Sequence, residues 1–180
     1  MKKLNNYITE RLKLSSKSNT YTCAPDNTSE LMTILKERLD KNKNADLNDI
    51  DVSKITDMRH LFKDLNPHDI KINEWDVSNV TDMDFMFFGC MHFDCDLSNW
   101  DVSNVEDMKF MFTRCEHFKG KGLENWDVSN VTYMHSMFYK CDNFDCNLDN
   151  WDTYNVKDMA LMFHHCYSLK NKPCWYKEQI

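Results

Sequence analysis

From residue 46 to residue 175 the apolar positions return in a fixed order. In one copy they are Leu97, Trp100, Val102, Val105, Met108, Met111, Phe112, Cys115 and Phe118, with mostly polar residues between them. The same order recurs around Trp75–Val80 and Trp126–Val131, and more loosely around Trp151–Val156. The tryptophans are spaced by 25, 26, 25 and 24 residues, the last being Trp175. A unit that short buries too little apolar surface to fold alone, so the copies must cover one another in a stack. Within a copy, Met83, Met86, Phe87 and Cys90 fall at i, i+3, i+4 and i+7, which predicts a short helix. Asn79 at its N-cap and Asp82 three residues on would form a reciprocal cap, as would Asn104 with Asp107 and Asn155 with Asp158. The Leu-x-x-Trp-Asp-Val segment, as in Leu97–Val102, predicts a brief extended stretch. The expected fold class is an α/β repeat, a solenoid of about five turns, each an extended segment plus a short helix.

The ends read differently. Leu4, Tyr7, Ile8 and Leu12 have helical spacing and predict a helix over Lys3–Leu14, followed by a polar stretch at 15–20. Asn27 and Glu30 form a capping box ahead of Leu31, Ile34, Leu35 and Leu39, predicting a second helix over Thr28–Lys41. The repeat register begins at Asp46–Ser53, which aligns with Asp96–Ser103 and puts Ile50 in the tryptophan slot. The expected division is an N-terminal helical cap at 1–45, a repeat solenoid at 46–175 and a tail at 176–180. The end copies are irregular, with Leu65 in the cysteine slot and Thr153-Tyr154 in place of Val-Ser, as terminal repeats commonly are.

Composition narrows the functions. A net charge of -7 and a pI near 5.4 argue against a nucleic-acid backbone as partner. No stretch is apolar for long enough to span a bilayer. Asn5, Asn6, Glu10, Arg11 and Lys13 stand where a signal peptide needs an apolar run, so the expected location is the cytoplasm. Of the eight cysteines, Cys90, Cys115, Cys141 and Cys166 share one repeat slot. In a reducing compartment they read as a buried column of free thiols and not as disulfide partners.

The segments 75–90 (WDVSNVTDMDFMFFGC), 100–115 (WDVSNVEDMKFMFTRC) and 126–141 (WDVSNVTYMHSMFYKC) resemble the BspA-like leucine-rich repeat family of bacterial surface proteins and mobile-element genes. The resemblance covers about residues 46–175. It implies a short leucine-rich-repeat-like, right-handed solenoid with a binding role in adhesion or recognition. The shared motif is structural and brings no catalytic residue with it.

Candidate chemistry is sparse. Asp51, Asp76, Asp101, Asp127 and Asp152 form a column that could hold a row of cations. The simpler reading is that each carboxylate accepts backbone N–H groups in its own turn, because the glycines of calcium-binding loops are missing. Cys90-His92-Cys95 and His164-His165-Cys166 with Cys174 lack the paired cysteine spacing of a zinc site. No hydrolase or phosphate-loop motif occurs, so neither metal nor cofactor is expected.

On the predicted helix, the slot of His60, Phe85, Phe110, Ser136 and Leu161 points away from the core, with Phe88 and Tyr139 on its flank. The candidate protein-contact surface is Phe85, Phe88, Phe110, Arg114, Tyr139, Lys140 and Leu161, an aromatic and mildly basic row. The expected function is a non-enzymatic, intracellular protein–protein interaction module whose partner the sequence does not name. Two alternatives are an exported surface-adhesion protein and a metal- or cysteine-dependent activity in the turn loops.

Overall fold

The computed structural model describes residues 21–177, so the helix expected over Lys3–Leu14 lies outside the described residues. Helix α1 spans Thr28–Lys41. The Asn27 side chain accepts from the Glu30 N–H at its start, as the capping box predicts. Its buried face, Leu31, Leu35 and Leu39, belongs to the same apolar core as the repeats.

The repeats are not built of helices and strands, and the α/β reading of them is corrected here. Among the described residues, the only helices are α1 and one 3-10 turn at Leu123–Asn125. The extended character is confined to isolated parallel bridges such as Asp57 to Asp82, Asp82 to Asp107, Asp107 to Tyr133 and Tyr133 to Asp158. There is no sheet among the described residues.

What replaces the predicted helix is a pair of consecutive turns. Met86 N–H donates to the Met83 carbonyl, and Cys90 N–H to that of Phe87. The third residue of each turn is left-handed, with φ of 56° at Phe85 and 75° at Gly89, the signature of a type II turn. The same two slots are left-handed throughout: His60, Phe110, Ser136 and Leu161 in one, and Asp64, Arg114, Lys140 and His165 in the other. Turn corners at i, i+3, i+4 and i+7 bury Met83, Met86, Phe87 and Cys90 completely. A helix would bury the same positions, which is why the spacing reads as one.

The backbone groups left free by the turns join the repeats. The N–H groups of Met83, Phe85, Phe87 and Gly89 donate to the carbonyls of Asp107, Lys109, Met111 and Thr113 in the next repeat, at 2.8–2.9 Å. Met108, Phe110, Phe112 and Arg114 do the same to Tyr133, His135, Met137 and Tyr139. A helix would consume these groups internally and leave nothing for the neighbouring repeat.

Side chains repeat the stitch. The predicted asparagine N-cap does not form. Instead Asn79, Asn104, Asn130 and Asn155 each donate Nδ2 to the serine carbonyl one repeat earlier, Ser53, Ser78, Ser103 and Ser129, at 2.6–2.8 Å. Tryptophans 75, 100, 126 and 151 donate their indole N–H to the carbonyls of Leu47, Ile72, Leu97 and Leu123 in the same backward sense. Their rings stack nearly parallel at 6.4–6.5 Å, beside a phenylalanine column, Phe62, Phe87, Phe112, Phe138 and Phe163, at 5.0–5.7 Å.

The cysteine column is buried and free. Cys90, Cys115, Cys141 and Cys166 donate Sγ–H to the Phe62, Phe87, Phe112 and Phe138 carbonyls at 2.9–3.4 Å. Burial pushes all four thiols up, Cys166 to about 12, so none offers a thiolate nucleophile. The one-residue insertion before Trp126 is accommodated by Gly120 and Gly122. A Cβ at Gly122 would lie 2.3 Å from the Ser98 backbone nitrogen.

These tryptophans give the first prediction. Trp126→Phe keeps a stacked ring but removes one of the two hydrogen bonds that the Leu97 carbonyl accepts, the Trp100 N–H keeping the other, and should cost about 0.5–1.5 kcal/mol. Urea denaturation of the purified protein measures it. A loss too small to resolve would show that the indole bond is incidental to the stack.

Candidate interaction surface

Two aspartate columns serve the turns of their own repeat. Asp51, Asp76, Asp101, Asp127 and Asp152 each accept the N–H two residues on through Oδ1, at 3.0–3.2 Å. Asp76 and Asp101 also accept the serine hydroxyl. This is the local satisfaction that an Asx turn provides. A second Asx column, Asp57, Asp82, Asp107 and Asp158, accepts from the residue two further on in the same way. Among the described residues no group of His, Cys, Asp and Glu is arranged to hold a metal ion.

The candidate contact residues lie on the left-handed turns and not on helices. Phe85 and Phe110 are half-buried and stacked at 4.4 Å, and His60 stacks on Phe85 at 5.1 Å. Phe88 packs on Phe85 at 5.2 Å, with Lys63 Nζ 5.6 Å from one ring and 5.7 Å from the other. His135 tilts against Phe110 at 5.0 Å. The four residues His60, Phe85, Phe110 and His135 thus make one ring ladder across successive repeats.

Tyr139 belongs to a separate group. It stacks on His164 at 5.6 Å, meets His165 edge-on and lies 5.5 Å from Lys140 Nζ. Between the two groups the sequence row is interrupted. Ser136, expected to point outward, is only 3% exposed, and Thr113 donates its hydroxyl to the Ser136 carbonyl at 2.5 Å. Arg114 and Lys140 are exposed on the second left-handed slot, and Leu161 is exposed at the far end. Lys63 and His135 complete the first group and were not singled out from sequence. Their slots carry no shared residue type, so only ring proximity in space reveals them.

Electrostatics divides this face. Asp84, next to Phe85 in the chain, is raised to about 6, chiefly by burial and then by the neighbouring Asp107 carboxylate. Its Oδ1 has no hydrogen-bond partner. Arg59 and Lys109 flank it but pair with Asp57 and Asp107 at 2.7 Å. His60 is pushed down by burial and by Lys63 and Arg59, so it is neutral beside its phenylalanine neighbour at pH 7.

The architecture defines a protein of stacked, turn-built repeats, with ring ladders both inside and outside. The chain belongs to the family described as Mycoplasma protein of unknown function, DUF285, which matches residues 31–122 and 114–177. Neither a curated protein nor a solved structure matches it. No helix among the described residues is long and apolar enough to cross a membrane.

Asp84 gives a test of this electrostatic picture. An acid whose folded pKa is raised favours folding while protonated. Its contribution is fully present below the ordinary carboxylate pKa and is lost as pH rises through about 6. Asp84→Asn should therefore gain stability relative to the original chain between pH 4 and pH 7. Paired urea melts at the two pH values measure it, and a constant difference between the proteins would refute the raised pKa.

Proposed function

We propose that this protein is a non-enzymatic protein-interaction module whose contact surface centres on the Phe85–Phe110 pair. The observation that carries the reading is where these rings sit. Both occupy left-handed residues, with φ of 56° and 55°. A bulky side chain there costs on the order of 1–3 kcal/mol of backbone strain. Gly89 stands in the other left-handed slot of the same repeat, and Ser136 in the equivalent of the Phe85 slot. Two adjacent repeats nevertheless carry phenylalanine, half-exposed and stacked at 4.4 Å. The left-handed conformation recurs in every repeat, so what sets these two positions apart is the bulky ring pair they hold at the surface.

Rigid aromatic anchors on a preorganised frame lose little entropy on binding, which is the usual composition of a hot spot. Lys63, with Nζ 5.6 Å from the Phe85 ring and 5.7 Å from Phe88, gives the pair a basic flank. The resemblance of the repeats to BspA-like sequences is in keeping with recognition and not with catalysis. So are the thiols, which burial holds protonated.

Phe85→Ser combined with Phe110→Ser tests the reading, because serine is native to the same slot at Ser136. The double variant should keep the cooperative melt of the original chain. Quantitative affinity capture from the native cells should show at least a tenfold loss of its enriched partners. Equal capture by both proteins would place the contact surface elsewhere.

A further inference from the structure

The hydrogen bonding between repeats has a direction, and it leaves one end of the stack with donors. Every second N–H of the turn segment points toward the following repeat. Met134, Ser136, Phe138 and Lys140 donate in this way to the Asp158, Ala160, Met162 and His164 carbonyls at 2.8–3.0 Å. In the next repeat the equivalent groups are the N–H of Met159, Leu161, Phe163 and His165. Among the described residues none of these four donates to any acceptor, although Met162, His164 and Cys166 close their own turns as usual.

At the opposite end α1 stands where a preceding repeat would: its Thr28 hydroxyl donates to the Asp57 carbonyl at 2.5 Å, while among the described residues no donor meets the Arg59, Leu61 and Lys63 carbonyls. The donor end also carries exposed apolar side chains: Tyr154 is 92% exposed, Tyr167 73% and Leu161 43%. The inner ring column is closed there, since Tyr176 lies edge-on over Phe163 at 5.0 Å where the preceding contacts are parallel. The aromatic core is finished while the backbone edge is not.

We propose that this edge is a second interaction surface, distinct from the Phe85–Phe110 face. Its ligand is a polypeptide segment that presents carbonyl oxygens at two-residue intervals in the conformation of the repeat's own turn segment. The recognition is the inter-repeat contact continued in trans, an edge addition carried by main-chain bonds. A second copy of this chain docked end to end through the same edge does not fit, because donors would face donors.

Hydrogen exchange of the full-length, isotope-labelled protein tests this in two stages. In the free protein the amides of Met159, Leu161 and His165 should exchange at least a hundredfold faster than those of Met134, Ser136 and Lys140. The probe is then a synthetic peptide of residues 130–143, which carries the acceptor carbonyls of Tyr133, His135, Met137 and Tyr139, used in excess under reducing conditions. It should slow the end amides at least tenfold and leave the inner ones unchanged, while a scrambled peptide does nothing. Leu161→Asp, a residue that tolerates the left-handed conformation better than leucine, should keep the fold and abolish the protection by setting a carboxylate against the incoming carbonyls. The Phe85→Ser, Phe110→Ser protein should respond to the peptide like the original chain, which separates this surface from the aromatic one. End amides already slow in the free protein, no protection by the peptide, or protection that survives Leu161→Asp would each overturn the proposal.

Discussion

The structure depends on the backbone N–H groups of one eight-residue stretch being shared between two uses. In the stretch from Met83 to Cys90, the N–H groups of Met86, Phe88 and Cys90 close turns within the repeat. Those of Met83, Phe85, Phe87 and Gly89 cross to the next repeat. Neither use alone gives a stable unit. Turns without a neighbour leave donors in a buried wall, and unmet buried donors cost more than the bonds gain. A helix in the same place would satisfy itself and remove the glue between repeats. The left-handed residues are the local cost of this division, and they recur in both slots of every repeat.

Once the backbone fixes the repeat distance, side chains of one kind must stack on their own kind. Tryptophan lies on tryptophan and phenylalanine on phenylalanine at close to the inter-repeat spacing. Cysteine fills the remaining column as a small apolar residue with a weak donor, which each thiol uses on a phenylalanine carbonyl of the repeat before. Asp and Asn are frequent because each repeat needs Asx turns, and the asparagine also reaches backward to bind the preceding repeat. The polar motif is as structural as the apolar one.

The same stacking rule operates outside, where it is free to vary. Where the core slots mostly hold one residue type, the first left-handed slot holds His60, Phe85, Phe110, Ser136 and Leu161, of which only Ser136 is buried. Variation there is tolerated because no neighbour requires a match, and so this is where a surface acquires an identity. Phe85 and Phe110 match by adjacency and form the apolar centre. Ser136 and Thr113 are buried, with the Thr113 hydroxyl donating to the Ser136 carbonyl, and they separate that centre from Tyr139.

By itself the sequence determined the repeat, its period, the inward columns and helix α1, because each depends on spacing that burial imposes directly. It also determined that the first aspartate column would be spent on local N–H groups, since Asx turns need only near neighbours. It did not determine the turn conformation. The spacing i, i+3, i+4, i+7 is satisfied equally by a helix and by two type II turns, and only the hydrogen bonds between repeats favour the turns. Of the candidate surface, the Phe85–Phe110 contact was legible because adjacent repeats place equivalent residues side by side. Its partners Lys63 and His135, the burial of Ser136, the unpartnered Asp84 oxygen and the donor edge at Met159–His165 were decided by tertiary structure. Each depends on which repeat lies next to which backbone group, a relation that exists only once the stack is assembled.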